Sequence, residues 1–469
     1  MAEVASTNPT SDPRSLRDED GDLNLAFVEL VTQAITARDT ARVLELAGDL
    51  HEADLGGLLE ALDHDDRPRL IELMGREFDF AALTEVDDKV REEILDELPT
   101  ETVVEGMSEL ESDDAVAILE DLDKEDRAEI LEAMSPMDRA NLRRSLDYPE
   151  RSAGRLMQTT VLTAPPFWTV GQMLDHIHEA VDDDLPDSFF EVFIVDPTHH
   201  LEGNVFLDKL VRARRSAQLV ELMQERHSVH VEEDQEEVAR VFERYNLVSA
   251  PVVDDDGRLV GVITIDDIVD VIEEEAEEDI KALGGVSAGE DLSSTVLWIT
   301  RSRFTWLFVN LVTAFLASSV IGMFEGQVEK MVALAVLVPI VASQGGNAAT
   351  QTMTVAVRAL ATRELSANNA SRVAIREVSV GLLNGVAFGI LTGIGAGIWF
   401  ASTGIGIVIG LAMVANLVCG ALGGILIPLT LDKLGYDPAV SSGAFVTTVT
   451  DVVGNFAFLG IATLWFGLY

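Results

Sequence analysis

The chain carries 469 residues and a formal net charge of −48, set by 81 acidic residues against 33 Lys and Arg. No basic stripe is available to meet phosphates, which excludes a nucleic-acid-binding role. The single cysteine, Cys419, excludes a disulfide or a thiolate metal centre within one chain.

Charge is unevenly divided. Residues 1–299 hold 74 acidic and 25 basic side chains, whereas residues 300–469 hold 7 and 8. An acidic soluble half therefore precedes an apolar half. Only 6 Lys stand against 27 Arg, and with abundant Asp and Glu this is the surface of a protein working in concentrated salt. That reading accounts for the total charge. A role in divalent-cation binding better explains the local acidic clusters.

Residues 1–24 form a polar tail without the apolar core of a signal peptide, so the tail is expected to be disordered and the first half cytoplasmic. Residues 25–150 read as an acidic domain of short, repeated amphipathic helices. Segment 54–74, DLGGLLEALDHDDRPRLIELM, matches 114–134, DAVAILEDLDKEDRAEILEAM, at 9 of 21 positions, with a degenerate copy at 92–107. In the second copy Ile118, Leu119 and Leu122 line one face and Ile130, Leu131 and Met134 the next. Asp123 reads as an N-cap, with Asp126 at the capping-box position. Such helix pairs stack as a solenoid-like unit. No catalytic signature lies here, and the protein is not expected to be an enzyme.

Beyond about 151 short strands alternate with helices: EVFIVD (191–196) and GNVFLDKLV (203–211), then SAPVVDDDGRLVGVITIDDIVDVI (249–272). Amphipathic helices at 170–180 and 236–246 precede the two strand pairs. The two units, 151–215 and 216–272, resemble tandem α/β CBS domains, a family that dimerises and binds adenine nucleotides or metal ions. Its nucleotide motif is intact in the second unit, with Gly261, Thr264 and Asp267. In the first unit Phe206 and Lys209 replace both polar positions. Thr264 and Asp267 thus read either as one nucleotide site per chain, with ATP as a regulatory ligand, or as caps of the helix that follows.

An acid-rich stretch at 266–283 reads as a helix and leads into a connecting region assigned to 273–302. The transmembrane domain, 303–469, then has five apolar segments, 304–324, 331–357, 378–401, 404–431 and 439–468, each long enough to span a bilayer. Arg301 and Arg303 precede the first, and Arg358, Arg363, Arg372 and Arg376 follow the second. Basic loops face the cytoplasm, which places the N-terminus inside and the C-terminus outside.

Two segments are unlike lipid anchors. The second contains VPIVASQGGNAATQTMT (338–354), where Gly345 and Gly346 loosen a run of amides and hydroxyls. The fifth carries Ser441, Ser442, Thr447, Thr448 and Thr450 around Asp451, the only charge between 438 and 468. A carboxylate at that depth is costly unless it is paired, solvated or beside a cation. Thr447 and Asp451 share one helix face with Gly443 a turn earlier. Facing each other, the two segments would line a path of carbonyls, hydroxyls and carboxylate, an all-oxygen set suited to a hard cation that keeps its waters. Close packing of small residues is the alternative for the glycines, and a hydrogen-bonded buried acid is the alternative for Asp451. His176, His178, His199, His200, His227 and His230 read as ordinary surface groups.

The motifs from Pro339 through Ser343-Gln-Gly-Gly-Asn-Ala-Ala-Thr-Gln351 and from Asp437-Pro-Ala to Thr-Thr-Val-Thr-Asp451-Val-Val-Gly454, on this domain order, resemble the MgtE family of magnesium channels and transporters over residues 25–469. The resemblance implies a homodimer in the cell membrane whose second and fifth spans line the pore. It further implies that Asp451 is the central Mg²⁺ site, with Gly346, Asn347, Thr350, Thr354, Gly443 and Thr447 around the hydrated ion. Thr350 stands where relatives often carry Asn, which bears on selectivity among Mg²⁺, Mn²⁺, Co²⁺ and Ca²⁺.

The chain lacks any Gly-Lys pair and hence a P-loop, so transport would run on gradients. Asp266, Asp267, Asp270, Glu274, Glu277 and Glu278, with Asp113 and Asp114, would repel until cytoplasmic Mg²⁺ neutralises them. In the resembling family the connector is the gating helix, and that Mg²⁺ closes it. A proton- or sodium-coupled divalent cation carrier is the alternative function.

Overall fold

The computed structural model describes residues 15–18, 21, 23–180, 185–186, 188–225, 227–290, 294–366 and 368–468, without the side chains of 441 and 442. Most of the 1–24 tail, and the side chains of Ser441 and Ser442, therefore lie outside the described residues. Two compact units divide the chain, Met1–Glu273 and Glu274–Tyr469.

In the first unit the repeat becomes paired helices: Glu52–Ala61 with Arg67–Met74, Asp88–Glu97 with Thr100–Glu109, and Ser112–Asp121 with Lys124–Ala133. The predicted faces are buried: Ile118, Leu119, Leu122, Ile130, Leu131 and Met134 join one core with Leu58, Leu59, Leu70, Ile71 and Ile94. The repeat also conserves a polar device between its two copies. Arg67 donates to the Leu59 carbonyl at 3.0 Å, and its counterpart Arg127 donates to those of Glu120 and Leu122 at 2.7 and 3.1 Å. Each guanidinium satisfies carbonyls left open where the preceding helix ends. Asp123 does occupy the N-cap position, but its side chain makes no capping bond.

The strand region builds two three-stranded sheets of one pattern. β1 (Thr163–Ala164) runs parallel to β2 (Glu191–Val195), which pairs antiparallel with β3 (Leu201–Phe206). β4 (Val229–His230), β5 (Ser249–Val253) and β6 (Leu259–Thr264) repeat the order, with register irregularities at Ile194/Val195 and Val252/Val253. Buried Glu191 ties the two sheets, accepting from Asn204 within its own sheet and from Ser249 Oγ, at 2.5 Å, in the other.

The acid-rich stretch is a single helix, Ile265–Leu283, in which the boundary between the units falls. Among the described residues, the second unit contains five helices long and apolar enough to cross a membrane: Val296–Gly322, Ala333–Ala361, Ala370–Trp399, Thr403–Lys433 and, within Pro438–Phe466, Gly443–Phe466. The first and third begin eight residues before the apolar segments read from sequence, so Arg301, Arg303, Arg372 and Arg376 lie on helices instead of in loops. Long basic side chains extend a span into the interface because their stems pack while their charges reach water. The fourth helix is the most buried of the five. Its Val408, Ile409 and Ala412 share a core with Leu334, Leu337 and Val341 of the second and Phe458, Leu459 and Ala462 of the fifth.

Candidate ion-conducting site and acidic cluster

Pro339 lies inside the second spanning helix and has no N–H to give the preceding turn. Past it, the helix presents two distinct sides. Val341, Gly345, Ala349, Thr352 and Met353 are buried. Ser343, Asn347, Thr350 and Thr354, spaced four, three and four, are exposed. That spacing is one helical stripe of hydroxyls and an amide. The paired glycines divide their labour. A Cβ at Gly345 would come within 2.0 Å of Asn416 Nδ2, whereas one at Gly346 would meet nothing within 4 Å. Gly345 is a packing residue, and Gly346 belongs to the open side.

On the fifth spanning helix Thr447 is exposed, Asp451 half-buried, and Gly443 opens onto no neighbour within 4 Å. The hydroxyls near Asp451 do not serve its carboxylate. Thr447 donates to the Gly443 carbonyl at 2.9 Å, Thr448 to Ala444 at 2.6 Å, and Thr450 to Val446 and Thr447 at 3.2 and 2.9 Å. Thr354 of the second helix does the same toward Thr350 at 3.0 Å. A hydroxyl whose hydrogen is spent on the preceding turn offers only lone pairs outward. Such oxygens accept hydrogens from water held by a cation.

The acidic residues of the first unit gather where the helical repeat meets the strand region. Arg155 pairs with Glu120, Gln158 donates to Glu111, and the Thr159 N–H donates to Ser112 Oγ at 2.7 Å. Beside these contacts, burial and then the Asp267 and Asp114 carboxylates hold Asp113 well above the usual carboxylate range, with one of its oxygens unpartnered among the described residues. Burial, then Glu52, Asp266 and Glu85, raises Asp114 to about 6. Burial raises Asp267 to about 7, Asp266 and Asp114 adding to it and Thr264 opposing. Asp270 and Glu85 are raised as well, first by burial and then by neighbouring acids. The structure thus brings Asp113, Asp114, Asp266 and Asp267 into one electrostatic cluster. Glu52, Glu85 and Glu111, which sequence reasoning did not single out, belong to it too. Among the described residues no three His, Cys, Asp or Glu side chains converge closely enough to chelate a bare ion.

Glu277 lies in the second unit, paired with Lys281 at 3.1 Å. The end of the connector is anchored there: Ala282 and Leu283 pack with Ala349, Met353 and Val357 of the second spanning helix and with Ala439 and Val446 of the fifth. Thr264, by contrast, is buried and spends its N–H and hydroxyl on Asp267 Oδ2, at 3.3 and 2.9 Å, as a cap of the connector. A small recess of about 20 Å³, room for roughly one water, lies beside it, lined among others by Thr160, Pro186, Phe190, Glu191 and Ser249.

These features define a multi-pass membrane protein with a helical and CBS-containing soluble part. The model of the MgtE divalent cation transporter family matches residues 338–461, that of the MgtE intracellular N domain 50–151, and that of the CBS domain 219–274. Magnesium transporters MgtE from Enterococcus faecalis and Thermus thermophilus are each 35% identical to the chain, over 68% of it and 70% of their own length. The Bacillus subtilis magnesium transporter MgtE is 31% identical over the same shares. Among solved structures, the cytosolic domain of the Mg²⁺ channel MgtE in complex with ATP aligns at 28% identity and a TM-score of 0.48, over 52% of this chain and 99% of that one. The chain belongs to the MgtE family of magnesium transporters.

Proposed function

We propose that the protein carries Mg²⁺ into the cell as a homodimer, along a path lined by the second and fifth spanning helices of each chain. One observation carries this reading: the stripe of Ser343, Asn347, Thr350 and Thr354 is exposed on a helix otherwise fit for lipid, while Asp451 sits half-buried on the fifth. Asp451 attracts the hydrated ion, and Gly346, Asn347, Thr350, Thr354, Gly443 and Thr447 supply carbonyl and side-chain oxygens to its waters. Keeping those waters avoids the reluctant dehydration of Mg²⁺. Membrane potential supplies roughly 4.6 kcal/mol per 100 mV for an inward dication, so no hydrolysis step is needed. The arginines near the ends of the spans support a cytoplasmic first half and a C-terminus outside the plasma membrane, since basic flanks stay on the cytoplasmic side.

Cytoplasmic Mg²⁺ closes the path. Asp113, Asp114, Asp267 and Asp270, raised by burial and then by neighbouring acids, take up hydrated Mg²⁺ through its waters together with Asp266, consistent with the lack of a bare-ion chelate among the described residues. Glu274, Glu277 and Glu278 extend the same charge along the connector, whose far end packs on the pore helices. For ATP to act as a regulatory ligand here, the recess beside Thr264, about 20 Å³ in this structure, must widen and the Thr264–Asp267 cap must open.

Mg²⁺ uptake by proteoliposomes holding the full chain, wild type and Asp451→Ala, tests the reading, and equal uptake by both would refute it. Uptake that persists without proton or sodium gradients supports a channel, whereas uptake abolished by removing either gradient returns the coupled carrier.

A further inference from the structure

Asn416 lies on the fourth spanning helix, which the proposed path does not touch, and it is fully buried. Its Nδ2 donates to the Val341 carbonyl of the second helix at 2.8 Å. Its amide fills two notches at once. A Cβ at Gly345 of the second helix would stand 2.0 Å from Nδ2, and one at Gly454 of the fifth would stand 2.5 Å away. The amide oxygen finds no hydrogen-bond partner among the described residues.

We propose that Asn416 is a positioning residue that sets the rotation and height of both pore-lining helices, and through them the cation selectivity of the path. The inference rests on the assignment of those two helices to the path. Gly345 and Gly346 are adjacent, so the notch that holds Asn416 lies about 100° around the axis from the open side. Gly454 follows Asp451 by three positions, about 60° around the fifth helix by the same count. Seating one side chain in both notches fixes where Asn347 and Thr350 point and where Asp451 points. The bond to Val341 fixes the height of the second helix just past Pro339.

A purely stabilising residue would be apolar here. A buried amide with an unmade bond is less favourable than a hydrocarbon of the same shape, so its place is better explained by the orientation it imposes.

The test compares initial uptake of Mg²⁺ and of Co²⁺ into proteoliposomes holding the full chain, read as a ratio so that the amount of active protein cancels. Asn416→Leu is expected to lower the Mg²⁺-to-Co²⁺ ratio about tenfold while some uptake remains. Asn416→Ser, which keeps a donor, is expected to recover most of the ratio. A leucine variant with the wild-type ratio overturns the inference. Should that variant fail to reach the membrane, Gly454→Ala, which presses a methyl on the same amide, replaces it, and an unchanged ratio there overturns the inference equally. Asp451→Ala is measured alongside. If it transports like wild type, the pore reading itself fails; if it is inactive while Asn416→Leu keeps its ratio, only the role of Asn416 fails.

Discussion

Replacing Asp267 by asparagine should stabilise the acidic cluster. Burial and the carboxylates of Asp266 and Asp114 raise its pKa from 3.8 to about 7. A difference of about three units corresponds to something on the order of 4 kcal/mol against the charged form. The sign follows from linkage: a carboxyl raised in the folded state favours folding below its unfolded pKa and loses that contribution as pH rises through about 7. At pH 8 without divalent cation, the wild type therefore bears the full penalty. The Asp267→Asn variant would bear none of it, though it gives up the charge on the bonds from Thr264. A net gain of roughly 2–4 kcal/mol is expected, equivalent to about 30- to 1000-fold slower exchange. Hydrogen exchange at the amides of the Ser112–Asp121 helix reads it, on the full chain in detergent with chelator. The gain should shrink toward nothing near pH 4, and Mg²⁺ should slow exchange more in the wild type than in Asp267→Asn. Unchanged or faster exchange in the variant at pH 8 would refute the repulsion argument and, with it, the electrostatic basis proposed for closure.

The remaining expectations concern packing and the first unit. Arg91 is buried, bonded to the Leu83 and Val86 carbonyls at 2.7 and 3.1 Å and paired with Asp121; Arg91→Ala should cost about 3–5 kcal/mol, seen as a lowered unfolding midpoint of the soluble unit. A Cβ at Gly424 would stand 2.7 Å from the Ala349 carbonyl, so Gly424→Val should wedge the fourth helix from the second at about 1–3 kcal/mol, lowering the Tm of the detergent-solubilised chain. If the recess beside Thr264 takes ATP, Thr264→Val should weaken nucleotide binding in calorimetry. Thr264→Val binding equal to wild type would reduce Thr264 to its capping role.

Much of the architecture was written in local pattern. The repeated Leu, Ile and Arg positions of 54–74 and 114–134, the short strands alternating with helices, and five long apolar runs all follow from chain-neighbour chemistry that a linear reading captures. The helix starts at Val296 and Ala370 were missed because a hydropathy pattern ends where arginines begin, while the backbone hydrogen bonds continue. Glu52 and Glu85 were missed for a different reason. In so acidic a half, no single acid stands out until folding shows which ones stand beside Asp114. Asn416 is the clearest case. One amide in an apolar run carries little signal, and its meaning lies in Val341, Gly345 and Gly454, which only the packing of three helices brings to it. The division of labour between Gly345 and Gly346 was hidden likewise, since adjacent glycines look alike until a neighbour occupies one side.

The most direct measurement is Mg²⁺ flux through the reconstituted full chain as a function of the side chain at 451. With Asp451→Ala the flux should fall to the level of protein-free liposomes while the protein remains folded, and Asp451→Glu should retain part of it. An alanine variant that passes Mg²⁺ at the wild-type rate would place the path elsewhere and contradict the assignment of that carboxylate to the moving ion.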